Sequence, residues 1–160
     1  MGGMSAFIRS TFGVDRVAYH RGSGGELWQG GLPEIVAPGS PYAEAFDVLV
    51  LCAKEIQPDL RVDGLEVIHC PLDDDYDHMP VADMMSAVAC SQAVSRRLKA
   101  GARVLSTCHH GRNRSGLVSA MAIVRTFGVK PSQAIRMVRN ARRYALQNPQ
   151  FLMFLMAGER

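Results

Sequence analysis

The residues of this chain most able to do chemistry lie together in Ser106-Thr107-Cys108-His109-His110-Gly111-Arg112-Asn113-Arg114-Ser115-Gly116, between an apolar run ending at Leu105 and a helix-compatible run beginning near Leu117. A loop joining a buried strand to a helix leaves backbone N–H groups unpaired and pointing into one concavity, which is an anion site. Gly111 permits a turn that a side chain would obstruct, and Arg114 carries a planar fork able to grip two oxygens of a phosphate. Helix N-termini and neighbouring cations favour the thiolate form of a cysteine. Cys108, at the mouth of such a cradle, is therefore expected to be a nucleophile towards phosphorus, with His109, His110, Gly111, Arg112, Asn113 and Arg114 as the phosphate-binding loop.

Two plainer readings compete. Taken singly, Cys108 is an ordinary buried strand-end cysteine, and Arg112 and Arg114 are solvated loop charges; the joint spacing in a strand-loop-helix context favours the catalytic reading. A metal site drawing on Cys108, His109, His110, His69 and Cys70 would need adjacent ligands in a tight turn to converge on one ion, and the usual zinc spacings are missing. No metal or cofactor is expected.

Thiolate attack on a phosphomonoester expels a poor leaving group unless a general acid protonates it. The acidic stretch Pro71-Leu72-Asp73-Asp74-Asp75-Tyr76-Asp77-His78-Met79-Pro80 offers one, since crowded carboxylates favour a proton on one of them. Asp73, Asp74 and Asp75 all remain candidates at this point. A calcium loop does not fit, because the sixth position from Asp73 is His78 rather than Gly and the twelfth is Met84 rather than Glu.

These residues must be positioned by alternating strands and helices. Glu26–Pro33 reads as a short strand stopped by glycines and proline, Tyr42–Phe46 as a short helix, Asp47–Cys52 as a buried parallel strand and Leu65–Cys70 as another. Val81–Lys99 is a long helix, Ala102–Leu105 a strand and Gly116–Phe127 a helix; further helices run from Ser132 to Arg143 and from Asn148-Pro149 to Met156. The plan is α/β with a central, mostly parallel sheet flanked by helices, and its ligand site is expected at the carboxyl ends of the strands, where Cys108 falls. Residues 1–160 form one domain, with residues 1–25 a loosely packed lead-in. Trp28 is expected in the core, and the arginines at 136, 139, 142 and 143 on a solvated helix face.

With 160 residues, 48% of them hydrophobic and 21% charged, the chain can bury a full core and is neither disordered nor fibrous. A net charge of +3 favours an anionic substrate without indicating nucleic acid. No apolar run approaches the roughly 20 residues that span a bilayer. Cys52, Cys70, Cys90 and Cys108 fit no close-spaced disulfide framework. The expectation is a cytoplasmic monomer that does not insert into membranes.

Cys108, five intervening residues, Arg114 and Ser115, with Gly111 third after the cysteine, resemble the signature loop of the cysteine-dependent protein tyrosine and dual-specificity phosphatases. Leu27 to Pro33 is similar to the family's "L-Y-x-G-x-L-P" entry strand, and Arg139, Arg142, Arg143, Asn148 and Phe151 to its tail, so the resemblance runs from about Leu27 to Leu155. Thr107 departs from the usual histidine before the nucleophile. The resemblance implies a dual-specificity phosphatase-like fold and a phosphocysteine intermediate. It implies Asp74, three residues after Pro71, as the acid, and Ser115 as the donor that helps Cys108 leave. It implies phosphotyrosine, phosphoserine or phosphothreonine proteins as substrates. The stretch from Cys108 to Gly116 is also similar to the "C-x-H-G-x-N-R-T-G" loop of the RNA 5′-triphosphatase branch, and Arg112 could hold a polyphosphate or inositol phosphate, so 5′-triphosphorylated RNA and phosphoinositides stand as alternative substrates. Below these stands a non-catalytic reader of phosphorylated partners. Some family members protect the nucleophile with a disulfide from a neighbouring strand, a role open to Cys52 or Cys70.

Overall fold

The run Val48-Leu49-Val50-Leu51-Cys52-Ala53 contains no polar side chain, and all six residues are buried. A strand apolar at every position needs cover on both faces of its sheet, and the rest of the chain supplies it. The structure, a computed structural model, describes residues 2–31, 41–56 and 63–159. Its strands are β1 (Asp15–His20), β2 (Gly25–Gly31), β3 (Val48–Ala53), β4 (Glu66–Leu72) and β5 (Arg103–Cys108). Its helices are α1 (Gly2–Phe12), α2 (Pro41–Ala45), α3 (Val81–Lys99), α4 (Arg114–Phe127), α5 (Pro131–Ala141) and α6 (Pro149–Met156).

The sheet order is β1-β2-β5-β3-β4, with β1 antiparallel to β2 and the remaining pairs parallel. Side chains alternate between two cores. Leu27, Val48, Val50, Cys52 and Val104 point to the layer containing α3, α4, α5 and α6. Trp28, Leu49, Leu51 and Leu105 point to a smaller cluster with Ile8, Phe46 and Leu65. The mostly parallel, helix-flanked sheet is the architecture the sequence leads one to expect, and Cys108 ends a central strand at its carboxyl edge. Among the described residues, no helix is long and apolar enough to cross a membrane.

Two expectations need correction. Residues 1–25 are not a loose lead-in: α1, β1 and the link between them pack Ile8, Val14, Val17 and Ala18 into the interior. A register shift between Arg16 and Ala18 puts Val17 and Ala18 both inside, breaking the period-two pattern that marks a strand in sequence. The loop after β5 is also shorter than expected, because Ser106 and Thr107 belong to the strand and Arg114 already begins α4. Leu32 and Pro33, the end of the expected entry strand, lie outside the described residues.

Candidate active site

Only residues 109–113 separate β5 from α4. Gly111 makes that short turn possible: its φ is +66°, and a Cβ there would stand 2.3 Å from the carbonyl carbon of Gly30. The loop carbonyls are engaged by the scaffold. Gly111 O accepts from Gln29 Nε2 at 3.0 Å and from Arg142 Nε at 2.8 Å. His110 O accepts from Arg142 Nη2 at 3.3 Å, and Arg112 O from the Leu146 amide at 3.2 Å. A trans peptide sets N–H opposite C=O, so the amides of Gly111, Arg112 and Asn113 face away from the scaffold, towards any bound oxyanion.

Cys108 is 3% exposed, and its Sγ lies 3.2 Å from Ser115 Oγ at the first turn of α4. The Thr107 hydroxyl donates to Val50 O at 2.7 Å and pins β5 to β3 beside Cys108. Arg114 is 5% exposed and held by three hydrogen bonds. Nη1 and Nη2 donate to the two oxygens of Glu55 at 2.5 and 2.8 Å, and Nη1 also donates to Leu72 O at 3.2 Å. A guanidinium has five N–H donors. Nη1 is fully used and Nη2 half used, while Nε is buried without a partner among the described residues. The edge formed by Nε and Nη2 therefore keeps two parallel donors, the fork that fits two phosphate oxygens. Burial acts to lower the Arg114 pKa, but the hydrogen bond to Glu55 and the negative charges of Cys108, Glu55 and Asp74 outweigh it and raise it. The same hydrogen bond holds the Glu55 carboxyl below its ordinary range.

Among the three acid candidates the structure separates Asp74 from its neighbours. Asp73 faces Lys54 at 3.4 Å, and its amide donates to the buried Asp83 at 2.9 Å. Asp75 accepts from the amide of Asp77 at 2.8 Å. Asp74 instead reaches the β5–α4 loop, where its Oδ2 accepts from Asn113 Nδ2 at 3.0 Å; its Oδ1 accepts from Asn148 Nδ2 at 2.7 Å.

The remaining site candidates are arranged unequally. His109 and His110 are exposed and stack with ring centroids 4.1 Å apart, and Arg112 lies over the Tyr144 ring at 5.8 Å. The Asn113 side chain turns from the loop towards Asp74 and Tyr76, so only its backbone N–H remains for a phosphate. All four cysteines are free thiols, and hydrogen bonding with Cys52 and Cys90, together with burial, pushes the Cys70 thiol up. Among the described residues no group of three or more His, Cys, Asp or Glu is arranged to hold a metal ion.

Sequence reasoning missed Glu55, Gln29 and the role of Arg142. Nothing local marks Glu55, which follows an apolar strand as any solvated residue could. Arg142, expected on a solvated face, also donates to Asp15 at 2.9 Å and to Gln29 O at 3.2 Å. It lies at the C-terminal cap of α5, where the chain has left the helix and a helical projection no longer applies.

The site is a strand-loop-helix cradle with the Cys108 thiol at its base and the Asp74 carboxylate tied to it, and comparison with known proteins gives the family of the chain. The family model described as "Dual specificity phosphatase, catalytic domain" matches residues 30–160, and the chain belongs to that family. Human dual specificity phosphatase 28 is 32% identical over 111 residues, which is 68% of this chain and 60% of that protein's length. The crystal structure of human DUSP28 superposes with a TM-score of 0.69 at 27% identity, covering 91% of this chain and 94% of that one. A structure of PTPMT1 in complex with PI(5)P shares the fold, with a TM-score of 0.66 at 16% identity over 90% of this chain and 92% of that one.

Proposed function

We propose that this domain hydrolyses phosphomonoesters on phosphotyrosine-, phosphoserine- or phosphothreonine-containing proteins through a phosphocysteine intermediate. In the first step the Cys108 thiolate attacks phosphorus, the P–O bond to the protein breaks, and Asp74 gives its proton to the leaving oxygen. The Nε/Nη2 edge of Arg114 and the amides of Gly111, Arg112 and Asn113 hold the equatorial oxygens as charge shifts. In the second step Asp74 takes a proton from water, the water oxygen bonds to phosphorus, and the S–P bond breaks. Cys108 departs as thiolate with Ser115 Oγ donating to it; the sulfur and that hydroxyl are 3.2 Å apart.

The observation that carries this reading is the tie between Asp74 and Asn113, which puts one carboxylate of the acidic loop on the phosphate-binding loop. A phosphomonoester needs such an acid, whereas a phosphoanhydride leaves as a comparatively stable anion and needs it less. Phosphate release should be measured with chelator present on three substrates in parallel: a phosphotyrosine peptide, 5′-triphosphorylated RNA and phosphoinositide vesicles. Peptide turnover that Asp74→Asn reduces about 10²-fold or more supports the reading. Release from RNA alone, insensitive to Asp74→Asn, favours the triphosphatase alternative, and selective release from the vesicles favours the phosphoinositide one. Binding without turnover of any substrate makes the domain a phosphate reader.

A further inference from the structure

We propose that Asn113 and Asn148 form a two-amide latch that positions Asp74 for proton transfer, an inference that rests on the acid role assigned above. The two asparagines come from separate segments, the phosphate-binding loop and the N-cap of α6, and each donates to a different oxygen of the same carboxylate. Neither amide can turn over. Asn113 Oδ1 accepts the backbone N–H groups of Gln147 and Asn148 at 2.7 and 3.2 Å. Asn148 Oδ1 accepts those of Gln150 and Phe151 at 2.8 and 3.4 Å. With both oxygens committed to backbone donors, only the NH2 groups face Asp74. The second proton of each is also used: Asn113 Nδ2 donates to Tyr76 Oη at 3.1 Å and Asn148 Nδ2 to Asp75 O at 3.1 Å. Asn113 and Asn148 are 7% and 0% exposed and fully hydrogen-bonded, so two buried, fixed donors hold a carboxylate that itself lies exposed at the mouth of the site.

The latch acts through charge as well as position. When Asp74 gives up its proton, negative charge develops on a carboxylate that already accepts two N–H donors. Hydrogen bonds to a charged acceptor are about twice as strong as those to a neutral one. The amides thus stabilise Asp74 more after transfer than before it, which is differential stabilisation along the reaction. Asn113 and Asn148 are positioning residues, since neither is required to touch the reacting phosphorus.

A positioning role predicts that losing the latch matters most where protonation matters most. The tests use Asn148→Ser, which keeps a capping oxygen for α6 but loses the NH2 group, and Asn148→Asp, which keeps shape and cap while removing both donors. Each is assayed on phenyl phosphate, whose leaving group needs the acid, and on 4-nitrophenyl phosphate, whose leaving group needs it far less. The expected result is a fall in kcat/KM of about tenfold or more on phenyl phosphate with less than about threefold on 4-nitrophenyl phosphate, and no further selective loss when Asn148→Ser is added to Asp74→Asn. Amide exchange should rise at residues 74–78 while α6 stays protected. Equal losses on the two substrates, or unchanged exchange at residues 74–78, overturn the latch and leave Asn148 a helix cap. Wild-type turnover insensitive to Asp74→Asn instead overturns the acid assignment, and the latch with it.

Discussion

Replacing Arg142 with methionine removes a brace from behind the β5–α4 loop while keeping an unbranched side chain in its place. Arg142 donates to Gly111 O, His110 O, Gln29 O and Asp15, joining the loop to β1 and β2 through one guanidinium. The Arg142 and Asp15 side chains are 17% and 20% exposed, so solvent screens them only partly. Hydrogen bonds to charged groups contribute about 1.5–3 kcal/mol each, and those sharing one group do not add. Asp15 keeps a second cation, Arg9 at 3.0 Å, which limits the penalty of a stranded carboxylate. Together these give a loss of about 2–4 kcal/mol, or roughly 5–12 °C in Tm for a domain of this size. Thermal unfolding followed by circular dichroism measures it, and vanadate inhibition reports whether the loop still binds an oxyanion. Arg142→Lys should recover the contact with Asp15 but not the two loop carbonyls, and so restore less than half of the lost stability. A Tm within about 2 °C of wild type together with unchanged vanadate affinity would refute the brace and return Arg142 to the solvated helix face that sequence alone suggests.

Gly111→Ala places a Cβ 2.3 Å from the backbone of Gly30 at a φ of +66°, so the loop must move. A displacement of about 1 Å at a catalytic loop can cost about 10²-fold in rate, which initial velocities on an aryl phosphate will show. Glu55, Asp47 and Glu66 are each held below their ordinary carboxyl range, first by hydrogen bonds from Arg114, Arg103 and Arg97 respectively. A depressed folded-state value means stability fully present above the unfolded pKa, near 4.3 for Glu, and lost as pH falls through the folded value. Tm should therefore hold between about pH 5 and 8 and drop below about pH 4, with a shallower drop in Glu55→Gln. The Cys70 thiol, pushed up by Cys52, Cys90 and burial, should resist alkylation in the native protein at neutral pH; rapid native labelling at Cys70, read by peptide mass, would contradict that environment.

What the sequence discloses follows how local each signal is. The β3 strand and the α3 helix are legible because continuous apolar composition and amphipathic period depend on neighbouring residues, and α3 spans Val81–Lys99 as expected. Asn148-Pro149 announces α6 through capping chemistry alone, with Asn148 Oδ1 accepting from two amides of the first turn. The β1 strand is hidden by its register shift beside a glycine-rich turn. At the site, the spacing of Cys108, Arg114 and Ser115 is local and therefore readable, whereas their supports are contacts between distant segments. Glu55 lies 59 positions from Arg114, and Asn148 lies 74 from Asp74. Composition and spacing cannot encode such pairings, because any exposed Glu or loop Asn carries the same local signature.

The central claim is that Cys108 carries the phosphoryl group during turnover. The direct measurement is rapid acid quench of the Asp74→Asn variant, whose second step the proposed base role predicts to be slow, mixed with 4-nitrophenyl phosphate, followed by peptide mass analysis. The account predicts one phosphoryl group on the peptide containing Cys108, absent in Cys108→Ser. Turnover that continues in Cys108→Ser, or a phosphoryl group found on any other residue, would contradict it.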